Sequence, residues 1–355
     1  MRAPFRSDSL SSSLTAGLDL GRSVLDGVRA PRPRRRPVRS AVVIGAGFSG
    51  LSAATHLADA GIDVTLVEKH AMPGGRARAF EEEGFRFDMG PSWYWMPDVF
   101  DRWFRRFGHE VSDFYELVRL DPSYRVVWPG AEPWDVPAGV DALRTFFEAR
   151  EPGAGAALDR FLEETRYIYE TATTDYLDRP SLSVFEFFDP RLVLELTRLR
   201  MLTSMEGYAA RFFDDPRLVR LVSWPVLFLG APADRTSAMY SMMSYADMAL
   251  GTWYPKGGMH RIIEGMVQVA RERGVRLRLS TPVEEVLVDD GVAVGVRTSD
   301  GPVLADAVLA SADYHHVESR LLPREHRQWS ESRWQRVTMS PSSLLVYLGV
   351  EGGVG

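Results

Sequence analysis

The sequence predicts an α/β fold: a Rossmann-like parallel sheet with a dinucleotide site, completed by a β-meander and interrupted by a helix-rich α+β insertion. Three observations predict it. Four apolar residues, 41–44, run into a glycine turn at Gly45, Gly47 and Gly50, and helical spacing follows at Leu51, Ala54 and Leu57: strand, tight turn, helix. A second strand, Asp63–Val67, follows Gly61 and ends at the acidic Glu68. After a helical stretch over 141–250, short β-type segments separated by Asp-Asp-Gly and Ser-Asp-Gly turns return from Val275 onward.

Each position in the turn has a physical reason. Gly45 permits a turn that a side chain would obstruct, Gly47 lets the backbone approach a pyrophosphate, and Gly50 lets the helix pack closely on the strand. The phosphates would lie on the helix N-terminus, where free N–H groups and the dipole favour negative charge. Ala46 and Ser49, inside the turn, complete this part of the predicted contact set. Glu68 can accept both hydroxyls of an adenosine ribose and would repel a 2′-phosphate; Lys69 is the adjoining predicted contact. A nicotinamide site calls for nothing like the Gly74-Gly75-Arg76 that comes next, whereas a second glycine turn with Arg76 and Arg78 can wrap the diphosphate of a cofactor that stays bound.

The segment 41–91, with VVIGAGFSGLSAA, VEKHAMPGGRA and FRFDMGPSW, resembles the carotenoid desaturase branch of the flavin amine oxidase superfamily, and bacterial phytoene desaturases in particular. The resemblance implies FAD. It places Gly90, Pro91 and Ser92 of the DxGP turn beside the flavin ring, and it has Val283 facing the adenine through its backbone, a position that reads equally well as plain sheet filler. Where many bacterial members carry threonine and aliphatic residues after that proline, this sequence has Ser-Trp-Tyr-Trp.

What the resemblance implies about activity is dehydrogenation of a linear polyene such as phytoene in carotenoid biosynthesis, with a hydride passing from an allylic carbon to flavin N5. It further implies a membrane surface touched without being spanned, and a quinone or oxygen as electron acceptor. The same fold also serves flavin amine oxidases and polyene isomerases or saturases. No base is identified: Glu186, Asp234 and Asp247 are acids of the helical stretch that read as surface or capping residues. Its many Phe, Leu and Met residues, Met201, Met205, Met239, Met242, Met243 and Met248 among them, read mainly as core, with a surplus able to line a greasy tunnel.

The predicted organisation is a basic leader over 1–39, an FAD-binding domain over 40–119 and 251–312, and a substrate domain over 120–250 and 313–355. Elements expected in order include a short strand at Phe85 and Phe87, a helix sharing Val99, Trp103 and Phe107 and stopped by Gly108, and short strands over 120–140. A helix with Ile262, Ile263, Met266 and Val267 inward follows, then a meander over 283–288, 292–297 and 303–310, and a strand over 342–350. The resemblance covers 39–355, the front portion of a family member. A second glycine turn that completes the flavin site is therefore expected beyond Gly355, and an inactive fragment retaining little flavin is one reading of the chain.

Composition sets the outer bounds. With 355 residues, 45% hydrophobic and 25% charged, the chain can bury a sizeable core in more than one domain. It has no cysteine, which excludes disulfides, thiolate metal sites and cysteine nucleophiles, and its 7 histidines show no metal-ligand spacing. The leader holds nine Arg against three Asp, +6, so the remainder carries −12 within the overall −6. Rich in Pro, Ser and Gly, it reads as a solvated, disordered arm; Leu14, Leu18, Leu25 and Val28 leave a basic amphipathic membrane contact as the alternative. The nearest approach to a spanning segment, 221–233, is short and carries Pro225 and Pro232, and no secretory signal opens the chain, so a cytoplasmic, peripherally membrane-associated protein is expected. No nucleic-acid partner is expected.

Overall fold

The computed structural model describes residues 37–176, 200–340 and 342–352. The leader up to residue 36 lies outside them, as do Glu186 and the lobe residues Phe185, Phe187, Phe188, Leu192, Leu194 and Leu196. Strand β1 (Ser40–Ile44) leads through the glycine turn into helix α1 (Phe48–Asp59), and β2 (Asp63–Val67) returns parallel to β1 in the register Ala41 to Val64 and Ile44 to Val67. The last four residues of both strands are buried, as a sheet covered on both faces requires. Gly61, at φ +82°, ends the helical stretch in a conformation that costs glycine little.

A hairpin of β3 (Ala79–Glu82) and β4 (Phe85–Asp88) follows, then α2 (Pro97–Arg106). Strand β5 (Leu117–Arg119) leads into the lobe, where β6 (Tyr124–Val126) and β7 (Trp134–Val136) pair antiparallel. Among the described residues the lobe's core is built mainly by α3 (Val140–Glu148), α4 (Ala154–Thr171), α5 (Met205–Ala209) and α6 (Pro216–Ser223). Phe147, Leu158, Phe161, Met205, Tyr208 and Leu218 meet there, each fully buried. The starts of α5 and α6 are set locally by Ser204 and Asp215, whose side chains accept from Gly207 and Arg217 amides. After α7 (Met242–Tyr245) the chain leaves the lobe at β8 (Trp253–Pro255), which pairs antiparallel with β5, so entry and exit lie side by side.

Helix α8 (His260–Glu272) then packs on α1, and their apolar faces share a second core with Val43, Leu66 and Phe104. Strand β9 (Arg276–Arg278) joins β2; β10 (Val283–Asp289), β11 (Val292–Thr298) and β12 (Gly301–Leu304) form the antiparallel meander. Here the structure corrects the sequence reading. The apolar run 303–310 is two strands: β12 stays in the meander and β13 (Ala307–Ala310) lies parallel to β1, giving a sheet ordered β13-β1-β2-β9. Asp306 marks the break, its carboxylate accepting from the amides of Arg39 and Ser40 at 2.9 and 3.0 Å.

One further expectation changes. Segment 342–350 has no ladder partner among the described residues, and instead Tyr347 packs its ring on Phe80 and Phe87. Met205 and Met248 are packed in the lobe core, and Met242 and Met243 in a smaller core with Ile168 and Tyr169. These four methionines are core, the main part of the reading made from the sequence. Among the described residues no helix is long and apolar enough to cross a membrane.

Candidate cofactor site

Strand order reverses at β1, with β2 on one side and β13 on the other, so a crevice opens at its carboxyl end, where open α/β sheets bind ligands. The three glycines of the turn play distinct parts. A Cβ on Gly50 would lie 1.8 Å from the Gly45 carbonyl oxygen, and one on Gly45, itself at φ +97°, would lie 2.9 Å from the Ser311 carbonyl oxygen. Both positions require glycine for the fold. A Cβ on Gly47 would meet nothing closer than Gly75 Cα at 3.9 Å. Glycine at Gly47 is therefore not a steric need of the fold. Among the described residues the amides of Gly47, Phe48 and Ser49 have no protein acceptor, leaving an α-helical N-terminus with donors directed to an anion.

Glu68 follows the last residue of β2 and is buried at 5% exposure; Oε2 accepts from the Ala46 amide at 2.8 Å and Oε1 from the His70 amide at 3.0 Å. Each oxygen keeps a second lone pair for a ribose hydroxyl. The amide of Thr281 donates to the Glu68 carbonyl at 2.8 Å, which sets the start of β10, and so Val283, against this end of the crevice. Lys69 is exposed beside it.

The second glycine turn lies against the first. Gly74 donates to the Ala46 carbonyl at 2.7 Å, and a Cβ on Gly75 would come within 3.3 Å of Gly47 Cα. Arg76 is exposed, whereas Arg78 spends Nε on the Gly75 carbonyl at 2.9 Å and shapes the turn from within. Gly90 packs so tightly on the Arg76 carbonyl that a Cβ would sit 2.4 Å from it, which carries Pro91 and Ser92 to the same end of the crevice. One cleft thus gathers Gly45, Ala46, Gly47, Ser49, Gly50 and Glu68 with Gly75, Arg76 and Gly90.

Three contributors escaped the sequence reading. Ser311, just past β13, places its Oγ 2.7 Å from Ser49 Oγ, a position hidden while 303–310 reads as one meander strand. Asp88 ties the DxGP turn to the Lys256-Gly257-Gly258 turn, its Oδ2 accepting from Tyr254 Oη at 2.6 Å and the Met259 amide at 2.9 Å. His260 Nδ1 lies 2.9 Å from the Ala77 carbonyl and braces the second glycine turn. Asp247 is a correction of another kind. Read as a surface or capping acid, it is 2% exposed, and burial pushes its carboxyl up to about 6 against the hydroxyls that hold it down. Asp234 is exposed, as expected.

This geometry fits FAD: free amides at the start of α1, beside two close-packed glycine turns, for the pyrophosphate, and an acid fixed by amides for the ribose. A family model for flavin containing amine oxidoreductases matches residues 48–353. The chain belongs to this family. FAD is the cofactor of this flavin amine oxidoreductase fold. In sequence the chain is 41% identical over 315 residues to a carotenoid 3,4-desaturase of Haloarcula japonica, covering 88% of this chain and 63% of the relative. It is 33% identical to a zeta-carotene-forming phytoene desaturase of Myxococcus xanthus, covering 88% of this chain and 60% of that one. The chain spans less than two thirds of the length of either relative. Among solved structures, putrescine oxidase bound to putrescine superimposes with a TM-score of 0.54 at 20% identity, over 81% of this chain and 62% of that one, a likeness of fold.

Proposed function

We propose that the chain is the FAD-holding portion of a desaturase that introduces double bonds into a linear polyene in carotenoid biosynthesis. The observation that carries this is the 41% identity to a carotenoid 3,4-desaturase across 88% of the chain, on a crevice whose glycines and acid suit FAD. In this reading the free amides at the start of α1 hold the pyrophosphate, with the Gly74-Gly75 turn packed beside them and Ser49 and Arg76 at the exposed edge. Glu68 holds the ribose, and Val283 and Lys69 flank the adenosine. Gly90, Pro91 and Ser92 border the ring. When bound, FAD supplies a two-electron acceptor for a hydride from an allylic C–H as a proton leaves the neighbouring carbon. The protein's share is alignment and exclusion of water, the larger part of the rate for such a step.

The nucleotide-holding part is then 40–119 with 251–312, and the lobe over 120–250 with 313–355 presents the substrate. A hydrocarbon substrate partitions into lipid, so the reading includes peripheral membrane contact, with quinone or oxygen as the final acceptor. The deciding experiment offers the FAD-loaded protein phytoene, a shorter C30 precursor and a panel of amines, and follows products by absorption. New conjugated bands from a polyene support the proposal; turnover of amines alone overturns it.

A further inference from the structure

Directly after the Gly90-Pro91-Ser92 turn the chain runs extended through Trp93, Tyr94 and Trp95, and Tyr94 bridges to Trp253. Residues two apart on an extended chain share a face, and the Trp93 and Trp95 rings stack with centroids 5.9 Å apart and planes 9° from parallel. Trp224, which opens the turn Trp224–Leu229, meets them at 5.1 and 5.3 Å with tilts of 66° and 59°. The group is not closed off. Trp93 is 43% exposed, and the Trp224–Leu229 turn exposes Leu227 and Phe228 at 61% and 58%. We infer that Trp93, Trp95 and Trp224 form a binding wall for a conjugated hydrocarbon chain, and that Asp247 is the positioning residue that fixes it from behind. The inference rests on the desaturase reading above and names the substrate-gripping residues for it.

A neutral polyene offers only dispersion and π contact, so a wall for it must be aromatic and rigid. Rigidity comes from a forked relay. Asp247 Oδ1 accepts from Thr252 Oγ1 at 2.6 Å and Oδ2 from Tyr124 Oη at 2.7 Å. An ionised carboxylate only accepts, so each hydroxyl commits its single proton inward and turns a lone pair outward. Thr252 Oγ1 then accepts from Trp95 Nε1, and Tyr124 Oη from Trp224 Nε1, both at 2.9 Å. One buried acid thereby orients two of the three indoles. Buried behind these hydroxyls, the acid acts on the wall through them. An asparagine would present a donor to one hydroxyl, reversing that arm and setting its proton against an indole N–H.

The test titrates the full chain with lycopene, a linear conjugated hydrocarbon, in detergent micelles and reads the circular dichroism induced in the bound polyene. Saturable binding by the parent is expected, weakened roughly tenfold in Trp93→Ala, the loss of one well-placed aromatic face. Tyr124→Phe and Thr252→Val are expected to weaken it several-fold with the shape of the induced band altered, and Thr252→Ser to restore both. Trp93 is exposed enough that its removal leaves the fold intact, which thermal unfolding checks. Parent-like affinity and band shape in Trp93→Ala and Tyr124→Phe would overturn the wall while leaving the desaturase reading standing. Absence of saturable lycopene binding by the parent would overturn that reading and the wall with it.

Discussion

Gly47→Ala separates cofactor binding from folding more cleanly than any other change in the turn. Gly47 has φ −80° and ψ −175°, which alanine adopts without strain, and its new methyl would meet nothing nearer than Gly75 Cα at 3.9 Å. The folded state therefore tolerates it, and the loss of backbone freedom in the unfolded chain raises stability by about 0.4–1 kcal/mol. The methyl nevertheless stands on the backbone at the start of α1, where the pyrophosphate must approach the free amides. Loss of one charge-assisted amide–phosphate contact costs about 1.5–3 kcal/mol, or roughly ten- to a hundredfold in affinity. Calorimetric titration with ADP, paired with thermal unfolding of the unliganded protein, reads both effects. Gly50→Ala is the control: its methyl falls 1.8 Å from the Gly45 carbonyl oxygen, so it must unseat α1 from β1 and lower stability outright. Parent-like ADP affinity in Gly47→Ala, or an equal loss of stability in both variants, would refute this reasoning.

Other perturbations have equally definite outcomes. Glu68→Gln must turn a donor toward the Ala46 or His70 amide, which already donates, and urea denaturation should find about 1–3 kcal/mol lost even without ligand. Asp247 holds its proton up to about 6 when folded against an ordinary 3.8, so the folded state binds more protons between these values. Its contribution to stability therefore falls as pH rises from about 4 to 6, by up to ~3 kcal/mol, and is flat above. The difference in unfolding free energy between parent and Asp247→Asn across that window is the measurement, and a pH-independent difference would refute the assignment. Gly90→Ala, whose methyl would sit 2.4 Å from the Arg76 carbonyl, should loosen the second glycine turn and raise proteolytic cleavage there.

Much of the nucleotide-binding architecture was legible because its constraints are local. The turn from Gly45 to Gly50, the acid after β2 and the second glycine turn each write a steric or electrostatic need into a few neighbouring residues. What stayed hidden depends on partners distant in the chain. The run 303–310 looks like one strand, and only the amides of Arg39 and Ser40, brought to Asp306, show where it changes sheets. Ser311 and Ser49 meet across 262 positions for the same reason. Asp247 resembles any helical acid until Tyr124, from the β6 strand, closes over it. Arg78 was legible as a turn residue but not as one that turns inward on Gly75.

In the proposed site the carboxyl end of β1 grips the adenosine diphosphate half of FAD, with Glu68 on the ribose. Calorimetry with ADP-ribose and its 2′-phosphorylated counterpart tests it most directly. Saturable binding of ADP-ribose is expected, with about a hundredfold weaker binding of the 2′-phosphate, which would face the Glu68 carboxylate. Equal or tighter binding of the 2′-phosphorylated compound, or none of ADP-ribose, would contradict it.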